Sequence, residues 1–168
     1  AMAACPVRTR VLREGIRLVA AAKQGKRPAS QTGGDLKITP TTVRAVADAL
    51  GLEKTLLGVD AVLDGRLVGA DLNEQGILEL LDRNERAVIV VTPLGGNGFI
   101  FGRGNKQFTP EVLRRVGRDN IVVIADRAKL MQLPALHVDT GDSDLDDALG
   151  GYIDVVVGHG HGKTMRVR

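Results

Sequence analysis

The chain predicts an α/β domain, a mostly parallel sheet flanked by helices with β-hairpin excursions. Three observations support this class. The strand candidates Ala87–Val91 and Asn120–Ala125 lack in–out alternation, as parallel strands buried on both faces do. Stretches with apolar residues at helical spacing, Asn73–Arg83 above all, fall between such runs. Asp64-Gly65 stands between the apolar flanks of VLDGRLV, a strong short-range hairpin signal.

Taken in order, residues 1–34 are a weakly specified basic segment and residues 35–168 the domain proper. Leu36–Thr39 reads as a brief strand stopped by Pro40. Thr39 or Thr41 can cap a helix whose Val43, Val46, Ala47 and Leu50 repeat at helical spacing and which closes at Gly51. A strand, a Thr-rich turn and a helix start make a ready anion site, or simply an ordinary cap. Thr55–Val59 reads as the next buried strand. Asp60 and Asp71 fall at the two ends of the hairpin region, where paired carboxylates suit Mg²⁺ held together with phosphates or serve as turn and cap residues. Asn73–Arg83 is an amphipathic helix with Ile77, Leu78, Leu80 and Leu81 inward.

Thr109-Pro110-Glu111 opens a further helix, with Thr as N-cap and Pro at the first helical position, ending near Gly117. Asp126–Leu133 is a short helix before Pro134, and Ala135–Val138 a strand. The run after it has five aspartates in nine residues but is no EF-hand, whose sixth and twelfth positions would be Asp147 and Ile153. A helix from Ser143 to Leu149 with acids in its first turn accounts for most of it. Tyr152–Val157 and Thr164–Val167 are the arms of a closing hairpin. Gly162-Lys163-Thr164 imitates the end of a Walker A loop, but Val157 stands where its first glycine belongs. His159 and His161 suit a metal bound in trans or, with no further ligand supplied locally, a mobile turn, which the residues favour.

Composition narrows the function classes. Aromatics are 2% with no Trp, which removes the stacking platforms of single-stranded nucleic-acid binding. Cys5 is alone, which excludes an internal disulfide framework and a cysteine zinc cluster and fits a reducing cytoplasm. No apolar run approaches the roughly 18 residues of a membrane span, and Leu18–Ala22 is too short for a secretory signal. The net charge of +3 is uneven: residues 1–37 hold eight Lys/Arg against two acids, the rest fifteen against eighteen. Such a basic start suits RNA or an acidic partner, or is a solvated surface; nothing in it reads bases, so nucleic acid is disfavoured.

The unusual chemistry is concentrated in VVTPLGGNGFIFGRGNKQFTP, residues 90–110, where Gly95, Gly96, Gly98, Gly102 and Gly104 fall within ten positions directly after an apolar strand. A glycine cluster marks backbone that adopts positive φ or approaches another group closely. With Thr92, Arg103, Asn105, Lys106 and Gln107 nearby, the loop suits an anionic, phosphorylated ligand; equally, it is a tight hairpin that merely turns the chain. The dinucleotide fingerprint does not fit, because Phe101 follows Gly98 at the required glycine position and Phe99–Phe101 reads as strand rather than helix. Ligands of parallel sheets sit beyond the carboxyl ends of the strands, which predicts one rim formed by the loops after Thr39, Val59, Val91 and Val138.

Read together, TTVRAVADALGLEKTLLGVDAV, TPLGGNGFIFGRGNKQ and HVDTGD resemble the predicted inorganic polyphosphate/ATP-NAD kinase-like family of prokaryotes, over roughly residues 38–153. In that family these motifs belong to the C-terminal portion of a longer chain, and a GGDGT-type kinase loop lies in the N-terminal portion. Here Gly33-Gly34-Asp35 is followed by Leu36-Lys37, without the Gly-Thr half. The resemblance implies a domain that binds a nucleotide or another phosphorylated small molecule, ATP or NAD with Mg²⁺, without complete kinase activity of its own. It also implies a homo-oligomer or a kinase-domain partner. The expected ligand-binding residues are Thr41, Thr42, Asp60, Thr92, Gly95, Gly96, Gly98, Arg103, Gly104, Asn105 and Gln107, with no catalytic base assigned.

Overall fold

The computed structural model describes residues 36–40, 58–64, 66–84, 86–158 and 161–168. Its strands are β1 (Leu36–Pro40), β2 (Val59–Leu63), β3 (Arg66–Leu72), β4 (Ala87–Val91), β5 (Phe99–Phe101), β6 (Ile121–Ile124), β7 (His137–Val138), β8 (Gly151–Gly158) and β9 (His161–Val167). Helices α1 (Glu74–Arg83), α2 (Pro110–Val116), α3 (Arg127–Gln132) and α4 (Ser143–Leu149) lie between them. The basic segment 1–34, the helix expected over residues 43–50, and Thr41, Thr42 and His159 lie outside the described residues.

The main sheet has the order β3-β2-β1-β4-β6-β8-β9. Strands β1, β4, β6 and β8 run parallel, while β2, β3 and β9 extend the edges by antiparallel pairing. The sheet is therefore parallel at its centre and antiparallel at both margins. All five residues of β4 are buried. Ala87, Ile89 and Val91 enter one core with Ile121, Val123, Ile153 and Val155, while Val88 and Val90 are buried on the opposite face. That two-sided burial explains why β4 reads as an unbroken apolar run.

A second pairing closes part of this sheet on itself. Strand β5 pairs in parallel with β7. The segment holding β7 lies against the free edge of β9: Leu136 N–H donates to Arg166 O at 2.8 Å, Arg168 N–H to Leu136 O at 2.9 Å and Val138 N–H to Arg168 O at 3.1 Å. Leu94, just past β4, donates back to Phe99 O of β5 at 2.7 Å. Backbone hydrogen bonds thus pass from β4 through β6, β8, β9, β7 and β5 and return to the chain leaving β4. Phe101, Phe108, Leu130 and Leu136 fill the space this circuit encloses, Phe101 meeting Phe108 edge-on at 5.7 Å.

Each described helix starts on a side chain that accepts a backbone N–H, as expected for Thr109. Asn73 caps α1 through Gly76 N–H, Asp126 caps α3 through Lys129 N–H, and Asp142 caps α4 through Leu145 N–H. Thr109 caps α2 and also donates to Glu74 at 2.6 Å, which with Arg115–Asp82 at 2.6 Å ties α2 to α1. In the aspartate run, Asp146 accepts from both the N–H and the hydroxyl of Thr140. The Leu145 N–H, followed by the Arg114 guanidinium at 2.7 Å, holds the Asp142 carboxyl below its ordinary value. Arg118 was not singled out by any sequence signal, yet it donates to the carbonyls of Leu149, Gly150 and Tyr152, binding the end of α4 to the start of β8.

Two expectations are corrected. The described second strand is Val59–Leu63; of the expected Thr55–Val59, residues 55–57 lie outside the described residues, Gly58 is a bend at φ +144°, and Val59 begins the strand rather than ending it. Asp60 interrupts the apolar pattern and so hid this strand. Asp60 is buried, and its carboxylate accepts the Asp71 N–H at 2.9 Å, where an extra residue bulges β3 away from the ladder. The predicted rim also changes. Val59 does lie on it, paired with Pro40, but as the first residue of β2, which runs against β1; the loop after β2 lies at the opposite end of the sheet. Strands β5 and β7 run against β4, so the carboxyl end of β7 does not share the rim of the parallel strands either.

Candidate functional site

The rim at the carboxyl ends of β1 and β4 still collects several of the expected residues. Asp60 reaches it from the start of β2, opposite Thr39 of β1. Thr92, half-buried, follows β4 directly. Two strand spacings separate β2 from β4, placing Asp60 and Thr92 roughly 10 Å apart along that rim. Among the described residues no group of three or more His, Cys, Asp and Glu side chains is placed to hold a metal ion. Asp60, with the Asp71 N–H bound to it, acts here as an internal acceptor.

The glycine-rich stretch divides into two parts with different work. Gly98, Gly102 and Gly104 all have positive φ and make close approaches. A Cβ at Gly98 would stand 2.7 Å from the Ala135 carbonyl oxygen, and one at Gly104 would stand 2.9 Å from Leu94 Cδ1. At Gly102 it would collide with the backbone of Asp139. Gly98 and Gly102 let β5 press against the β7 segment, and Gly104 lets the loop after β5 press against Leu94.

Gly95 and Gly96 differ. They form the exposed tip of the turn from Leu94 to Phe99, and a Cβ on either would meet nothing within 4 Å. Gly95 has φ +51°, so its backbone turns over in the left-handed region at the tip. This is open backbone at the carboxyl end of a central parallel strand, which is where sheets of this kind receive ligands.

Arg103 belongs to the same corner. Its guanidinium carbon lies 4.5 Å from the centre of the Phe99 ring, and Phe99 in turn meets His137 at 5.3 Å. The Arg103 Nε–H donates to Asp139 Oδ2 at 3.2 Å, with both side chains about half or more exposed. Phe99 is also the residue whose backbone oxygen closes the glycine turn against Leu94. His137 and Asp139 are two residues apart around the end of β7; that period-two spacing is the only sequence sign of their shared corner.

The remaining candidates are placed otherwise. Asn105 is 2% exposed; its Nδ2 donates to Ile100 O at 2.8 Å, while Oδ1 has no partner among the described residues. Its side chain fastens the loop from inside. Gln107 is half-buried and Lys106 exposed. Thr41 and Thr42 are outside the described residues. Gly104 approaches Leu94 at the base of the Gly95–Gly98 turn, Arg103 lies over Phe99 at the turn's end, and Thr92 and Asp60 lie on the rim of the parallel strands.

Comparison with known proteins supplies the family. Residues 36–167 match the model of the ATP-NAD kinase C-terminal domain. Neither a curated protein nor a solved structure matches the chain. The matched span covers every described element, including the whole glycine-rich stretch and the aspartate run. No described helix is long and apolar enough to cross a membrane. The chain belongs to the ATP-NAD kinase family, and residues 36–167 are its C-terminal domain.

Proposed function

We propose that this domain binds a nucleotide or another phosphorylated small molecule at the Gly95–Gly98 turn, as the ligand-binding part of an ATP- or polyphosphate-dependent NAD kinase. One observation carries the reading: open glycine backbone lies at the exposed end of β4, and an exposed guanidinium lies over Phe99, the residue whose oxygen closes that glycine turn. Exposed N–H groups of a glycine turn suit phosphate oxygens, and an Arg fork adds charge and direction. Mg²⁺ would arrive with the phosphates and bridge their oxygens, as it does when few carboxylates are present. Phosphoryl transfer would also need a GGDGT-type loop, which residues 1–168 do not contain, so another segment or chain would bring it.

Titration calorimetry with NAD, ATP, ADP and polyphosphate, with and without Mg²⁺, tests the proposal; no heat from any of them at millimolar concentration would end it. Arg103→Ala should weaken binding of the responding ligand by about 1.5–3 kcal/mol, the size of a hydrogen bond to a charged group. Arg103→Lys should recover part of that, since an ammonium lacks the planar fork. The melting temperature should hardly move, because an exposed ion pair contributes at most about 1 kcal/mol. A large loss of stability with unchanged affinity would make Arg103 a strut.

A second reading, an assembly module completing a site on a partner chain, has one observation in its favour. Among the described residues β3 is an edge strand, and Leu67 and Val68 on it are 37% and 43% exposed. Neighbouring strand residues face opposite sides, so a partner would pair along the strand edge rather than cover one face. Size-exclusion chromatography with light scattering should then give a dimer or larger; a monomer at all concentrations removes this reading.

A further inference from the structure

We infer that Asp139, together with the Phe99 ring, is a positioning device that holds Arg103 with its terminal amino groups presented to an anionic ligand at the Gly95–Gly96 turn. The inference rests on the ligand-binding reading above and goes beyond it, because it assigns a role to residues that need not touch the ligand. The geometry is specific about which donors are used. Asp139 takes only the Nε–H of Arg103, at 3.2 Å, and the guanidinium lies over Phe99 with its carbon 4.5 Å from the ring centre. One edge of the fork is thus occupied and its plane is supported, while Nη1 and Nη2 have no hydrogen-bond partner among the described residues.

Phe99 cannot drift under that load. Its backbone oxygen accepts the Leu94 N–H at 2.7 Å, and its ring is backed by His137. Asp139 is fixed in the same way: its N–H donates to Phe101 O at 3.3 Å and its carbonyl abuts Gly102. Either contact alone, an exposed ion pair or an exposed cation–π contact, biases the Arg rotamer by no more than about fivefold. Acting on the same guanidinium from its edge and its plane, they reduce the ordering that a ligand would otherwise have to impose on a long, flexible side chain.

This makes a prediction whose sign opposes simple electrostatics. Removing a carboxylate near an anion site should tighten anion binding if only charge counts. If Asp139 orients Arg103, removing it should weaken binding. The probe is inorganic tripolyphosphate in Mg²⁺-free buffer, titrated calorimetrically into the full chain. Asp139→Ala should raise Kd about three- to tenfold, the scale for ordering one rotamer-rich side chain. Asp139→Asn, which keeps an acceptor for the Nε–H, should recover part of the loss. In the Arg103→Ala background, Asp139→Ala should change Kd by less than about twofold, because there is no guanidinium left to orient.

Melting temperatures of all variants should stay close to that of the wild type, since only the backbone of Asp139 serves the β5–β7 contact; this separates lost positioning from lost fold. A Kd that falls or is unchanged in Asp139→Ala overturns the inference and makes Asp139 a competitor or a bystander. The same effect of Asp139→Ala with and without Arg103 overturns it too. If the wild-type chain binds no tripolyphosphate, ATP or NAD, the ligand-binding reading itself has failed; if it binds but the Asp139 variants behave as competitors, only the positioning role has.

Discussion

Gly102→Ala should be the most damaging single substitution in the glycine-rich stretch. Gly102 has φ +92°, a region where a side chain is strained, and its added Cβ would fall on the carbonyl oxygen and carbon of Asp139. Both obstacles are backbone, held by the Asp139 N–H to Phe101 O contact, so no flexible side chain can yield. Relief requires β5 and β7 to separate, which opens the link between the turn after β4 and the edge of β9. We expect a loss of at least about 3 kcal/mol, from backbone strain plus the lost contacts. For a chain of this size that lowers Tm by roughly 6–12 °C. Gly96→Ala is the matched control: its Cβ meets nothing within 4 Å, so the change should stay within about 0.5 kcal/mol. Thermal melts of the two variants decide the matter. If Gly102→Ala melts within a degree or two of the wild type, the close approach of β5 to the Asp139 backbone is not as described.

The second large effect is Asn105→Asp, an isosteric change that alters only charge and donors. Asn105 is almost wholly buried, and its Nδ2 donates to the Ile100 carbonyl. A carboxylate there would face that carbonyl without a proton to give, in a site with little water to solvate it. Burial and the lost donor both favour the neutral acid, so the folded-state pKa should rise above the value near 3.9 of an unfolded Asp. The sign then follows. Below the unfolded pKa the carboxyl is protonated in both states and can donate to Ile100 O, so the variant should approach wild-type stability. As pH rises above about 4 the unfolded chain ionises first and the penalty grows, reaching on the order of 2–4 kcal/mol near pH 7. Melts of wild type and variant between pH 4 and 7 should show that widening gap. A gap that does not change with pH would sink the argument, because a merely steric fault has no reason to titrate.

The two variants probe different halves of the same stretch, and they show what was legible in the residues. The alternating elements were legible because local rules made them. Thr109 caps its helix where a cap was expected, and Asn73, Asp126 and Asp142 cap helices read to begin at or just after them; each accepts a backbone N–H within its own first turn. The run Ala87–Val91 announced a strand buried on both faces. The turn at Asp64 announced the β2–β3 hairpin, and Asp64 indeed has φ +52°. These features depend on neighbours within a few positions, so one sequence suffices to read them.

Asp60 was legible as a carboxylate but not as part of a strand. Its carboxylate accepts the Asp71 N–H eleven residues away, where β3 bulges from the ladder. Arg118 likewise carried no mark, because its three carbonyl acceptors lie more than thirty residues ahead. The rim differs from expectation at Val59, where the chain enters β2 rather than leaving a strand, and after β7, for a related reason. Strand direction is set by partners, and nothing local in Val59–Leu63 or His137–Val138 says which way the strand will run beside its neighbour.

By itself, then, the sequence determined the element types, the helix starts, the α/β class and the glycine-rich corner as the place of unusual backbone, together with the likeness to ATP-NAD kinases that the domain match bears out. Only the tertiary structure decided which glycines do what. Gly98, Gly102 and Gly104 are glycine because other backbone or side-chain atoms stand where a Cβ would go, while Gly95 and Gly96 face open space. It alone placed Asp139 at the edge and Phe99 at the face of the Arg103 guanidinium. The physical reason is the range of the forces: caps, turns and burial periodicity act over one turn or one strand, whereas close approach and ion pairing depend on which distant segments the closed circuit of strands brings into contact.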